Sequence, residues 1–200
     1  MYVRPNGNYS PTMAEPRPTP AAARILDAMI PLWVLPGLLD YACHRAAKIE
    51  RTSGTHESLT HLLMSAASGV PVVLHLAFEP TPTVAALSLA AVVTHEAIVI
   101  WDVGYAAPLR TVTPTEQHVH SFLEVLPFAL LLLSASAHPR AFAGLAHAVP
   151  ARFSRRSDPP KPWYLALLAA LAGTSVVAYA EEFRRCYRVD RTLAPHATPG

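Results

Sequence analysis

The 200-residue sequence reads as an all-α protein, a polytopic transmembrane bundle of about five helices. Three observations carry that reading. Hydrophobic residues make up 52% of the chain and charged residues only 15%, against about 25% charged in an ordinary soluble domain. The charge is missing mainly from five apolar stretches, each near the roughly 17–25 residues that a ~30 Å bilayer core asks of a helix. Two of those stretches, built on ALSLAAVV and YLALLAALAG, are apolar around the whole helix. A soluble bundle helix keeps a polar face instead.

The chain begins with a polar, proline-rich segment over residues 1–21, which reads as a disordered tail because it has too little apolar surface to offset ordering entropy. The helical domain is expected over residues 22–188, with a second tail at 189–200. The first crossing runs from Ile25 to about Ala42 and contains Pro31 and Pro36; membrane helices tolerate proline when neighbours satisfy the freed backbone groups. The others are Leu59–Phe78, Val84–Trp101, Phe122–Ala137 and Trp163–Ala180. The first and fourth are short, so a four-crossing version is the alternative. Ser65, Ala66, Ala67, Ser68 and Gly69 would let the second helix pack closely. TSGTHE (Thr52–Glu57) reads as a turn with Thr55 as a helix cap, and Thr113-Pro114 with Glu116 as a helix entry. Residues 138–162 read as a long mobile loop.

Several function classes drop out. The formal net charge is +2 with no basic block, which speaks against nucleic acid as a partner, and no phosphate-binding glycine loop is present. Cys43 and Cys186 form no CxxC pair. Lysine and arginine divide eight against eight between the two membrane faces. One group lies largely in a tail and a long loop, which weigh less. The other face, with Arg45, Lys48, Arg51 and Arg110, is therefore expected to be cytoplasmic, in a bacterial inner membrane.

That same face collects the ionisable residues. An up-down topology brings together Asp40 and His44, Glu57 and His61, His95 and Asp102, His118, His120 and Glu124, and Glu182. Asp40/His44, Glu57/His61 and His120/Glu124 are four apart and share helix faces, and Glu116 extends the last stripe if its helix starts early. Ionisable groups inside a membrane are costly and mark functional sites. Carboxylates and imidazoles on four or more helices form the donor set of di-iron and di-manganese bundles. The expected ligands are His44, His61, His95, His118 and His120, with Glu57, Asp102, Glu124 and Glu182 as carboxylates and Asp40 as a ligand or an orienting partner of His44. His75 reads as a packing residue, His56, His138, His147 and His196 as loop residues, and Arg184 and Arg185 as counter-charges to Glu181 and Glu182.

DYACHRAAKIERTSGTHESLTHLLM (residues 40–64), THEAIVIWDVGYA (94–106), VTPTEQHVHSFLEVLPF (112–128) and YAEEFRRC (179–186) resemble an uncharacterised family of small bacterial integral membrane proteins. The resemblance covers residues 25 to about 188 and implies a membrane fold without an established activity. Such proteins are sometimes labelled diguanylate cyclases. That activity needs paired glycines before its acidic residues on a soluble α/β domain, whereas Tyr179 and Ala180 precede Glu181 and Glu182 here.

The leading expectation is a membrane-embedded, di-iron oxidoreductase that hydroxylates or desaturates a lipid or lipophilic substrate. No flavin, nicotinamide or iron–sulfur motif is present, so a separate electron-donor protein would be required. The alternatives are a proton- or metal-ion-coupled transporter, a non-catalytic assembly factor, and a bis-histidine haem protein.

Overall fold

A computed structural model describes residues 20–147 and 150–193. Its elements are α1 (Pro20–Leu32), α2 (Val34–Ala47), α3 (Gly54–Ala77), α4 (Pro82–Ala106), α5 (Pro114–Ala137), the short α6 (Pro139–Ala143) and α7 (Pro162–Leu193). Among the described residues the only strand-like pairing is an isolated bridge between Phe78 and Arg155. α1 and α2 together make one span, Arg24–Ala47, and with α3, α4, α5 and α7 they give five helices long and apolar enough to cross a membrane. The chain thus has five candidate spans and not four. Of the expected N-terminal tail, only its last two residues are described, and they begin α1. The last helix continues past the expected end at residue 188 to Leu193, and the rest of that tail, with His196, lies outside the described residues.

The bundle is apolar outside and buries a polar cluster within an otherwise mixed interior. Of the largest fully buried side chains, His44, Glu57, Glu116, Glu182, Thr60 and Ser58 are polar, leaving Ile49 and Cys186. Ile100 (73% exposed), Val177 (69%) and Leu132 (67%) face outward. Water would penalise such a surface, and lipid does not. α3 packs chiefly on α4 and α7, and α2 on α5 and α7. The order of the helices therefore wraps all of them around the polar interior.

Local chemistry explains the element ends. The first span breaks at Trp33, between Pro31 and Pro36. Pro31 cannot donate to the carbonyl of Asp27 four residues back, and the Tyr164 hydroxyl donates to that oxygen instead, at 2.7 Å. α5 starts eight residues earlier than the apolar stretch suggests, at Pro114, because Thr113 and Glu116 form a reciprocal capping box. At α3 the expected cap, Thr55, lies inside the helix. Its backbone N–H donates to Asp190 Oδ2 of α7, at 2.9 Å. His56, expected in a loop, sits in the first turn of α3 and stacks on Tyr105 with ring centroids 3.8 Å apart.

The 138–162 connection is tied down rather than loose where it is described. Arg156 donates to Ala77 O (3.0 Å) and His75 O (2.9 Å), and Glu79 N donates to Ser154 O (2.8 Å), so this loop caps the end of α3. Glu79 in turn accepts from the Ser157 N–H and hydroxyl, both at 2.7 Å, and these bonds hold its carboxyl below the ordinary range. His138 is buried at the α5–α6 junction. Burial, reinforced by the neighbouring charges of His75 and Arg156, pushes its imidazole down to about 4.

Two predictions follow from these ends. Gly54 has φ +61°, and a Cβ there would lie 2.8 Å from Asp190 Oδ1. Gly54→Ala should cost at least about 1–2 kcal/mol, the penalty of a left-handed L-residue, read as a lower unfolding midpoint in detergent. His138 binds its proton less readily folded than unfolded, so its contribution is complete above pH 6.5 and is lost as pH falls toward about 4. A His138→Gln variant should show a flatter fall in melting temperature across that window than the wild type; identical slopes would disprove the assignment.

Candidate metal centre

Five helices each deliver acids or imidazoles to one buried cluster near the end of the bundle. α2 contributes Asp40 and His44, α3 Glu57 and His61, α4 Asp102, α5 Glu116 and His120, and α7 Glu182. Four-residue spacing places Asp40 with His44, Glu57 with His61 and Glu116 with His120 on common helix faces. The same acid-x-x-x-His pattern thus occurs three times, in the same order.

Glu182 is the hub. Its Oε2 lies 3.1 Å from His44 Nδ1 and its Oε1 2.9 Å from His61 Nδ1. The two imidazoles stack with centroids 4.4 Å apart and planes within 9°. Clamped this way, their Nε2 atoms face in two directions. His44 Nε2 lies 3.3 Å from Asp40 Oδ1 and 3.4 Å from Glu116 Oε1, with His120 Nε2 2.8 Å from the same Asp40 oxygen. His61 Nε2 lies 3.5 Å from Asp102 Oδ2. Asp40, His44, Glu116 and His120 form one group whose donor atoms lie within 4.8 Å of one another, and Glu57, His61 and Asp102 form another. His44 Nε2 is buried without a hydrogen-bond partner despite its carboxylate neighbours.

Arg110, in the α4–α5 connection, closes the cluster. Its Nε is 3.0 Å from Glu57 Oε1, and its Nη2 is 2.5 Å from Glu116 Oε1. Burial opposes its charge, but these two carboxylates hold the guanidinium pKa above its ordinary value. The Ser53 hydroxyl donates to Glu57 Oε2 and the Thr60 hydroxyl to Asp102 Oδ1. These bonds fix carboxylates that would otherwise pivot.

Of the residues singled out from sequence, Asp40, His44, Glu57, His61, Asp102, His120 and Glu182 meet in the cluster. Three do not. His118 is exposed and edge-on to Phe122 (5.3 Å); two residues from His120, it points to the other side of α5. His95 is buried more than a turn deeper, with Nδ1 3.2 Å from Glu96. Glu124 is half-buried on a cavity wall, and the acid that pairs with His120 is Glu116, one turn earlier. Arg185 pairs with Glu50 and Glu181, and Arg45 with Glu181 at 3.0 Å, so Glu182 is matched by imidazoles and not by arginine. Arg110 had no signal in the sequence beyond its charge. Glu116 did, as the third acid-x-x-x-His pair.

Beneath the cluster lies a cavity of about 440 Å³ whose lining includes Asp40, His61, Asp102 and His120 at one end. A second cavity of about 340 Å³ opens beside His75, His138 and Arg156. Ile30, Trp33 and Val72 line both.

The chain is therefore a helical bundle suited to a membrane, with a buried His/carboxylate cluster able to hold metal. No family model matches it, and no curated protein or solved structure matches it at a significant level.

Removing the guanidinium tests the electrostatics. Arg110→Met leaves Glu57 and Glu116 without their shared cation and should cost about 3–5 kcal/mol in the metal-free protein. Arg45→Met removes an exposed pair, with side chains 51% and 32% accessible, and should cost under about 1 kcal/mol. Equal losses in detergent unfolding would show that the Arg110 pairs carry no special weight.

Proposed function

We propose that this protein is a membrane-embedded oxidoreductase that binds two iron ions in the His/carboxylate cluster and uses dioxygen to hydroxylate or desaturate a lipophilic substrate held in the adjoining cavity. The observation that carries the metal is His44 Nε2, buried without a hydrogen bond and 3.3–3.4 Å from two carboxylate oxygens. Ligands about 2.1 Å from one ion lie roughly 3.0–3.4 Å from each other. Charge supports the number. Asp40, Glu57, Asp102, Glu116 and Glu182 are opposed by the single guanidinium of Arg110. The four negative charges left over equal the charge of two divalent cations, with neutral imidazoles as ligands.

The protein's own residues divide the work. Glu182 accepts from both Nδ1–H groups, which fixes the tautomers and leaves both Nε2 lone pairs free. Asp40, Glu116 and His120 complete one position with His44, and Glu57 and Asp102 complete the other with His61. Such a centre, when loaded, supplies dioxygen activation. Hydroxylation consumes dioxygen, two electrons and two protons, inserts one oxygen atom into a C–H bond and releases the other as water. Desaturation removes two hydrogens from adjacent carbons and yields two waters from the same inputs. The electrons come from a separate donor protein, and the cluster faces the cytoplasm of a bacterial inner membrane.

A transporter needs polar groups through its middle, but the residues shared by the two cavities, Ile30, Trp33 and Val72, are apolar. An assembly factor would keep the cluster as a salt-bridged cap and bind no metal. Elemental analysis of the purified protein separates these readings. The expectation is about two iron ions per chain, lost in the His44→Ala, His61→Ala double variant and kept in His118→Ala. A wild-type protein without a transition metal would sink the proposal.

A further inference from the structure

The shape of the cavity below the cluster narrows what that lipophilic substrate is, and this step rests on the functional reading above. Along α3 the lining runs from His61 to Leu76, and along α7 from Tyr179 to Leu165. At 1.5 Å per residue these walls are about 21–22 Å long. A cavity of about 440 Å³ stretched over that length is a narrow slot, not a bowl. Ser65, Ser68 and Gly69 on α3 and Ala169 and Ala172 on α7 line it. The small side chains leave the width, and no charged residue lines the slot below His95 and Glu124.

The two ends differ. At the cluster end the lining carries Asp40, His61, Asp102 and His120, with Glu124 and His95 one and two turns further in; at the other end it carries Ile30, Leu76 and Leu165. Val73 and Leu165, which also line it, are 60% and 40% exposed, so this wall is open within the membrane-spanning part of the bundle. A fused-ring lipid is too broad for such a slot, and a short solute leaves most of it unfilled.

We propose that the slot binds a single linear acyl chain, methyl end away from the cluster and polar head at the cluster face, and that oxidation therefore falls in the head-proximal part of the chain. At about 1.3 Å advance per methylene, from C–C bonds of ~1.5 Å, the slot takes about 16 carbons. Each methylene buried adds about fourfold to affinity, so binding should climb with chain length and stop climbing near that limit. The polar ring of Tyr179, held by its hydroxyl on Gly37 O at 3.0 Å, stands where the slot meets the cluster. A Cβ on Gly37 would come within 3.3 Å of that hydroxyl, so the glycine lets the tyrosine lie close against α2.

The test measures binding without turnover. Purified full-length protein is titrated with isotope-labelled saturated fatty acids of increasing length, and in parallel reconstituted with phospholipids carrying the same chains and a photoreactive group. Saturation of either source supports the assignment, and the two arms tell free acid from esterified lipid. Affinity should rise up to about 16 carbons and then level off. Ser68→Trp and, independently, Ala172→Phe should weaken binding at least about tenfold with iron content unchanged, while Val177→Trp on the outer wall has no effect. Equal affinity for all lengths, no chain bound by the wild type, or full binding by both slot variants would overturn the inference. Because the readout needs no iron, a metal-free protein that still binds chains with this length limit would refute the oxidoreductase and leave the slot standing. An iron-loaded protein that binds no chain would do the reverse.

Discussion

Five carboxylates buried around one guanidinium set the terms for the rest of this structure. An ion in a low-dielectric interior loses several kcal/mol of solvation, and an unpaired one cannot persist. Asp40, Glu57, Asp102, Glu116 and Glu182 are each at most 5% exposed. Arg110 reaches only Glu57 and Glu116. The other three lean on imidazoles, and Glu182 on two at once. A group of this kind holds together either by taking up protons or by taking up cations. His44 and His61 stack in parallel at 4.4 Å between these carboxylates, so the two rings share one electrostatic environment.

The helices serve this constraint in a simple way. Acid and imidazole four residues apart on α2, α3 and α5 point inward together, and α4 and α7 each add one carboxylate between them. No pair of helices contains the cluster, so it forms only when all five spans are assembled. The polar centre is thereby also the specification of the bundle. In lipid, apolar side chains gain little by facing one another, and the exposed Ile100, Leu132 and Val177 give the outer faces no reason to choose neighbours. The inward polar stripes supply the register that hydrophobic burial supplies in water.

Much of this was legible in the sequence. Apolar length is a strong signal, so the five spans and their shared polar end could be read from Ile25 onward. Four-residue spacing identified Asp40/His44 and Glu57/His61, because it depends on helix geometry alone. What failed lay where spacing does not decide. The apolar stretch begins only at Phe122, but Thr113-Pro114 with Glu116 reads as a helix entry and the capping box there starts α5 at Pro114; the pairing of His120 with Glu124 failed because spacing alone also allows Glu116, one turn the other way. Arg110 belongs to a connection, where periodicity says nothing. His118 was included through its nearness to His120 in sequence, which on a helix means the opposite side. The pinning of residues 154–157 onto the end of α3 arises from backbone bonds, and composition does not encode those.

The location of the cluster matters as much as its content. It lies at one end of the bundle, where Arg110 comes from a connection outside the membrane span and the slot beneath enters the apolar interior. Under the proposed function, protons and electrons are supplied at that end and an apolar chain from the slot. Redox chemistry on a lipid needs that separation: protons and electrons must arrive where they are soluble, and the C–H bond must arrive without them. The apolar septum of Ile30, Trp33 and Val72 then has a clear physical effect. Under the same proposal, apolar residues between the two cavities would keep protons exchanged at the cluster on one side of the bilayer.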